Sequence, residues 1–208
     1  MIPYPTTQGL DPAQFSLRDA LDVAILIEEE ARDRYDELAE QLAVHHTPEA
    51  AAFFRRMARI EERHRNQLLE RRQTRFSGEA SRVRREMIFD IEAPEYDEAR
   101  AFMSVREALE VALRSEIKAH AWFSNALLSV QDPDVRGLFS ELAAEELDHQ
   151  RYVQAELQRH VQNAKRIVST MKELRGPMMK VGQLLSTHAE ALPGEYGEIL
   201  RSLQSQAP

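Results

Sequence analysis

Two Glu-x-x-His pairs, Glu61 with His64 and Glu146 with His149, are the first candidates for chemistry in this chain. A separation of three residues puts carboxylate and imidazole on one face of a helix, where both can hold the same cation. With 25 glutamates and seven histidines in 208 residues, about one such pair is expected by chance, so the spacing alone says little. Position says more. Each pair falls where an apolar helical stripe should continue, and two further glutamates, Glu28 and Glu116, interrupt stripes in the same way.

The elements that must position these residues are helices almost throughout. Glycine is scarce, and Ala, Leu, Glu and Arg are abundant. Residues 1–15, with three prolines and a glycine, read as an extended arm. Ser16 can cap a first helix whose stripe runs Leu17, Leu21, Ala24, Ala31, Tyr35, Leu38 and Leu42. After His45–His46, Thr47-Pro48-Glu49 signals a second helix, with Phe53 or Phe54, Met57, Ile60 and Leu68 inward, fading near Phe76-Ser77-Gly78. Residues 76–103 have no sustained period and read as a long, partly helical connection. Ser104-Val105-Arg106-Glu107 is a capping box that opens a third helix, with Leu109, Ala112, Phe123 and Leu127 inward. Asp132-Pro133-Asp134 starts a fourth, whose inner stripe is Val135, Leu138, Leu142, Val153 and Leu157. The expected fold is therefore all-α: two helical hairpins and a long crossover between helices 2 and 3, the connectivity of a ferritin-like four-helix bundle, with a C-terminal helical extension. A plain up-down-up-down bundle is the alternative.

On this reading every bundle helix puts a carboxylate in the core. Burying an ionised carboxylate without a partner costs several kcal/mol or more. Four of them converging would repel, and two histidines cannot offset four anions. A pair of divalent ions resolves the conflict. The chain has no cysteine, so any metal must be held by Glu, Asp or His, and disulfides, zinc ribbons and thiolate iron–sulfur centres are excluded. Carboxylate and imidazole suit iron or manganese.

The two hairpins also echo one another. Glu28-x-x-Ala31-x-x-x-Tyr35 matches Glu116-x-x-Ala119-x-x-x-Phe123, with 33 residues from Glu28 to Glu61 and 30 from Glu116 to Glu146. Over residues 16–162 the pattern resembles the rubrerythrin branch of the ferritin-like di-iron proteins, whose ligand set is one Glu from each of two helices and Glu-x-x-His from the other two. The resemblance implies Glu28 and Glu116 as terminal carboxylates, Glu61 and Glu146 as bridges, His64 and His149 on one ion each, and Tyr35 beside the site. It also implies two iron ions, with manganese or a mixed pair as the alternative. Two departures stand out. Rubrerythrins proper carry a four-cysteine rubredoxin-like domain, absent here, and a further helix-three glutamate at the position that is Ala119 in this chain. The adjacent Glu29, Glu30, Glu62 and Glu145 are expected to face solvent, His45–His46 to sit in a turn and His120 to stay off the site; Trp122 and Met57 read as packing.

Thirty-five acidic against 27 basic residues give a net charge of −8, which argues against generic nucleic-acid binding. No apolar run approaches the ~20 residues of a membrane span, and the N-terminus has no signal-peptide pattern. The expected location is the cytoplasm. The domain reading is 1–163 as the di-iron domain and 164–208 as a helical tail. Within that tail, Lys180-Val181-Gly182-Gln183 and Leu192-Pro193-Gly194-Glu195-Tyr196 resemble the N-terminal segment of the AarF/UbiB atypical kinase family. This implies a kinase-like partner or fused domain; an amphipathic helical hairpin is the plainer alternative.

Three functions fit these residues. The leading one is a di-iron oxidoreductase reacting Fe(II) with dioxygen or hydrogen peroxide, in peroxide scavenging or ferroxidation, with an external electron donor and as a homodimer. The second is a di-iron hydroxylase of a quinone precursor, and the third a metal-stabilised regulatory module of a kinase-like protein.

Overall fold

The computed structural model describes residues 10–44, 47–88, 91–94 and 103–173. Four helices carry the fold: α1 (Leu17–Val44), α2 (Pro48–Phe76), α3 (Val105–Ser129) and α4 (Pro133–Glu173). Short 3-10 turns at Pro12–Gln14 and Arg85–Met87 complete it, and there is no strand among the described residues. The chain divides into two compact units, Met1–Gln154 and Ala155–Pro208. The first holds α1, α2, α3 and α4 as far as Gln154; the described part of the second is the remainder of α4. Residues 174–208, which carry the kinase-like resemblance, lie outside the described residues, as do His45 and His46. No helix among the described residues is long and apolar enough to cross a membrane.

Local signals start and stop the helices where the sequence places them. The Ser16 hydroxyl accepts from the Asp19 amide while the Asp19 carboxylate accepts from the Ser16 amide, a reciprocal cap with Asp in the acidic role. Ser104 and Glu107 form the same arrangement at the start of α3. Asp132 accepts from the amides of Asp134 and Val135, and Pro133 occupies the first turn of α4, where its missing N–H is not needed. α2 ends at Phe76, and Gly78 turns the chain away with φ +78°, a conformation that favours glycine.

Pairwise contacts establish the helix directions. Tyr35 stacks on Phe54, Glu29 meets Arg65, and Asp22 meets Arg72, so α1 and α2 run antiparallel. Phe123 packs on Phe139 and Glu116 on His149, so α3 and α4 are antiparallel too. Phe15 and Phe139 touch near the start of α1, at the level where Arg71 of α2 reaches Glu141 of α4. The directions are thus up, down, down, up. This is the ferritin-like four-helix bundle, and it requires the connection after α2 to climb back along the molecule.

That connection follows α1. Glu79 pairs with Arg18, Arg82 makes two hydrogen bonds to the buried Asp19, and Arg85 reaches Asp33 and Glu29. Burial works against the Asp19 charge, but the Ser16 hydroxyl and Arg82 guanidinium hold its carboxyl below the ordinary range. Val83, Ile88, Ile91 and Ala93 are buried. The partly helical character expected of residues 76–103 amounts, among the described residues, to a single 3-10 turn.

One end of the core is aromatic: Trp122 and Phe123 meet Phe139 edge-on at 5.6 Å, and Phe15 does so at 6.3 Å. Further along α1 and α2, Tyr35, Phe53, Phe54, Leu42 and Met57 are fully buried. Between these two apolar layers lies a layer of carboxylates.

Candidate metal centre

Each helix delivers its polar residue to this layer because the residue continues an apolar stripe. Glu28 follows Ala20, Leu21, Ala24 and Ile27 and precedes Ala31; Glu116 stands between Ala112 and Ala119; Glu61 lies one turn after Met57 and Ala58; and Glu146 lies one turn after Leu142 and Ala143. Packing the stripes buries the carboxylates with them. Glu61 and Glu116 are 0% exposed, Glu28 and Glu146 1%. His149 is buried and His64 half-buried, and their rings stack at 4.8 Å.

Ligand-capable atoms converge in four groups, each within 4.8 Å: Glu61, His64 and His149; Glu116, Glu146 and His149; Glu28, Glu92 and Glu146; and Glu61, Glu92 and Glu116. All six candidate ligands therefore meet in one place. His120 does not join them; its Nε2 lies 3.4 Å from the Ser124 hydroxyl. Tyr35 touches the cluster from α1, its hydroxyl donating to Glu116 Oε1 at 2.9 Å.

Of the acids expected to face solvent, Glu62 does. Glu29, Glu30 and Glu145 are half-buried instead, because the bundle and crossover fold over them; Glu29 pairs with Arg65 at 3.1 Å. Ile60, expected inward, is half-buried, and Glu61 takes the central position.

Glu92 is the residue that periodicity could not find. It comes from the crossover, is 1% exposed, and belongs to two of the four groups. Its segment has no repeating pattern from which an inward face could be read. The local signal is its place between two buried apolar residues, Ile91 and Ala93.

Electrostatically the layer is short of positive charge. Burial pushes Glu28 up to about 7, and Glu61, Glu92 and Glu146 well above the ordinary carboxylate range, with neighbouring carboxylates adding to the effect. Burial also disfavours charge on His149, yet the Glu116 hydrogen bond and surrounding carboxylates hold it up at about 9. Burial and the neighbouring His149 bring His64 down to about 4. Burial and Glu116 raise Tyr35 well above its ordinary value, so its hydroxyl stays a donor.

The donor set fits a pair of divalent cations. Glu28 Oε2, both Glu61 oxygens, His64 Nδ1, both Glu92 oxygens and Glu146 Oε2 are buried without a hydrogen-bond partner. Buried polar atoms are nearly always paired, and so many orphaned acceptors around one point match oxygen-and-nitrogen coordination.

The chain is similar to an uncharacterized conserved protein from Magnetospirillum magnetotacticum MS-1, 28% identical with a TM-score of 0.57, over 70% of this chain and 95% of that one. A hypothetical protein from Pyrococcus furiosus is 22% identical with a TM-score of 0.44, over 74% of this chain and 94% of the other. Among curated proteins none matches. The rubrerythrin family model matches residues 19–157, a span that takes in the four helices through the candidate ligands, and by that match the chain belongs to the rubrerythrin family.

Proposed function

We propose that residues 1–163 form a di-iron oxidoreductase domain in which Fe(II) reacts with dioxygen or hydrogen peroxide, for peroxide scavenging or ferroxidation, and that residues 164–208 are a helical tail extending from it. The carrying observation is the convergence of one glutamate from each of four helices, with two histidines, around orphaned buried acceptor atoms. In this reading Glu28 and Glu116 are terminal ligands, Glu61 and Glu146 bridge, and His64 and His149 each bind one ion. When bound, two ferrous ions supply the two electrons that reduce peroxide.

The chain's own residues hold the site in shape. Tyr35 fixes one oxygen of Glu116, and His149 Nδ1 faces the other at 3.1 Å. His149 would have to give up its proton to serve as a ligand, so metal binding would release protons. The apolar layers on either side keep bulk water from the carboxylates. The 208 residues contain no cysteine, so no thiolate electron-transfer centre lies within them, and the proposal takes its electrons from a donor outside the di-iron domain.

The test is anaerobic Fe(II) loading of wild-type protein and Glu61→Ala, followed by exposure to dioxygen or to hydrogen peroxide. Wild type is expected to hold two irons per chain, to melt several degrees higher when loaded, and to oxidise them faster than free iron. Glu61→Ala is expected to lose both the metal and the thermal shift. Wild-type protein holding under one ion per chain, or an oxidation rate no faster than in buffer, would overturn the proposal.

A further inference from the structure

Glu92 is not on any of the four helices. It lies in the crossover, in the described segment 91–94, whose residues are all buried. Both its oxygens are buried without a hydrogen-bond partner. One of its oxygens comes within 4.8 Å of atoms of Glu28 and Glu146, and one within the same distance of atoms of Glu61 and Glu116. The next residue is tied to the bundle: Lys118 Nζ, on α3, donates to the Ala93 carbonyl at 3.1 Å.

A carboxylate on an irregular connection costs as much to bury as one on a helix, and a chain free to loop outward has an easy alternative. That it is buried, between two carboxylate pairs and with no proton donor of its own, points to a cation as its partner. Resting on the metal-centre reading above, we infer that Glu92 is a seventh metal ligand, common to both carboxylate groups, through which metal binding fastens the crossover to the bundle.

Manganese(II) is a suitable probe, because its binding can be followed without redox turnover. Wild type, Glu92→Gln and Glu61→Ala are titrated with it, and amide hydrogen exchange across residues 88–93 is compared with and without the metal. Wild type is expected to bind two ions and to gain protection in the crossover. Glu92→Gln, nearly isosteric, is expected to bind at least tenfold more weakly and to show no metal-dependent protection there, while its metal-free circular dichroism matches wild type. Should that variant fail to fold, Glu92→Asp keeps the charge, shortens the reach and is expected to weaken binding likewise. If Glu92→Gln binds two ions with wild-type affinity while Glu61→Ala loses them, the role of Glu92 is wrong and the metal centre stands. If wild type itself binds none, the metal centre falls and this inference with it.

Discussion

The Tyr35 hydroxyl on α1 donates to Glu116 Oε1 on α3 at 2.9 Å, linking residues 81 positions apart in the chain. Both are 0% exposed. The other Glu116 oxygen faces His149, and its backbone carbonyl accepts from Gln150 at 3.2 Å. Glu116 is thus held from two helices besides its own, whereas neither oxygen of Glu61 has a partner. One carboxylate of the layer is oriented by hydrogen bonds, and the other keeps two unpartnered oxygens.

Tyr35→Phe keeps the ring and its stacking on Phe54 but removes the donor. The expected result is a loss of about 1 kcal/mol in the metal-free protein. Metal affinity is expected to fall about tenfold with the ion count unchanged, as for the loss of an outer hydrogen bond to a ligand. Denaturant melts and metal titration of the two proteins check it; unchanged affinity would show that Glu116 needs no such support.

The metal-free protein is expected to lose stability as pH rises from about 6.5 to 9. Folding raises His149 from 6.5 to about 9, so the folded form holds this proton more tightly, and the benefit is lost as pH climbs through 9. Glu28, raised from 4.5 to about 7, acts in the same direction at lower pH. His64, lowered from 6.5 to about 4, acts oppositely, costing stability as pH falls below 6.5. Melting temperatures from pH 6.5 to 9 should therefore fall steadily without metal. A saturating divalent cation, which takes over the role of these protons, should flatten or reverse the trend.

Phe139→Ala removes the ring that Phe15, Trp122 and Phe123 all meet. Phe139 is 0% exposed, so the substitution leaves a cavity at the aromatic end of the bundle. A loss of about 3–5 kcal/mol is expected by chemical denaturation. A loss under 1 kcal/mol would mean that this end of the core repacks freely.

Ser104→Ala breaks the capping box that starts α3. It should cost about 1 kcal/mol. Because the cap lies three turns from Glu116, metal stoichiometry should be unchanged, as thermal melts paired with metal analysis can show.

The sequence by itself determined the helices, the caps of α1, α3 and α4, and the six inward polar residues; the Thr47 hydroxyl, placed to cap α2, instead donates to the Leu42 carbonyl at 3.0 Å. A helix repeats every 3.6 residues, so a glutamate at 28, 61, 116 or 146 is visible as a break in a pattern. The near-duplication of the two hairpins placed those breaks at matching heights. The burial of Glu29, Glu30 and Glu145 was not visible, because it depends on which neighbouring element covers a helix flank. Glu92 was not visible either: the crossover has no period, and a lone carboxylate between Ile91 and Ala93 acquires meaning only when the chain lies along α1 and turns inward. Only the tertiary structure decided that the site has a carboxylate from outside the four helices. Helical periodicity reports on neighbours within one element, whereas the path of a loop depends on contacts distant in sequence, such as that between Lys118 and the Ala93 carbonyl.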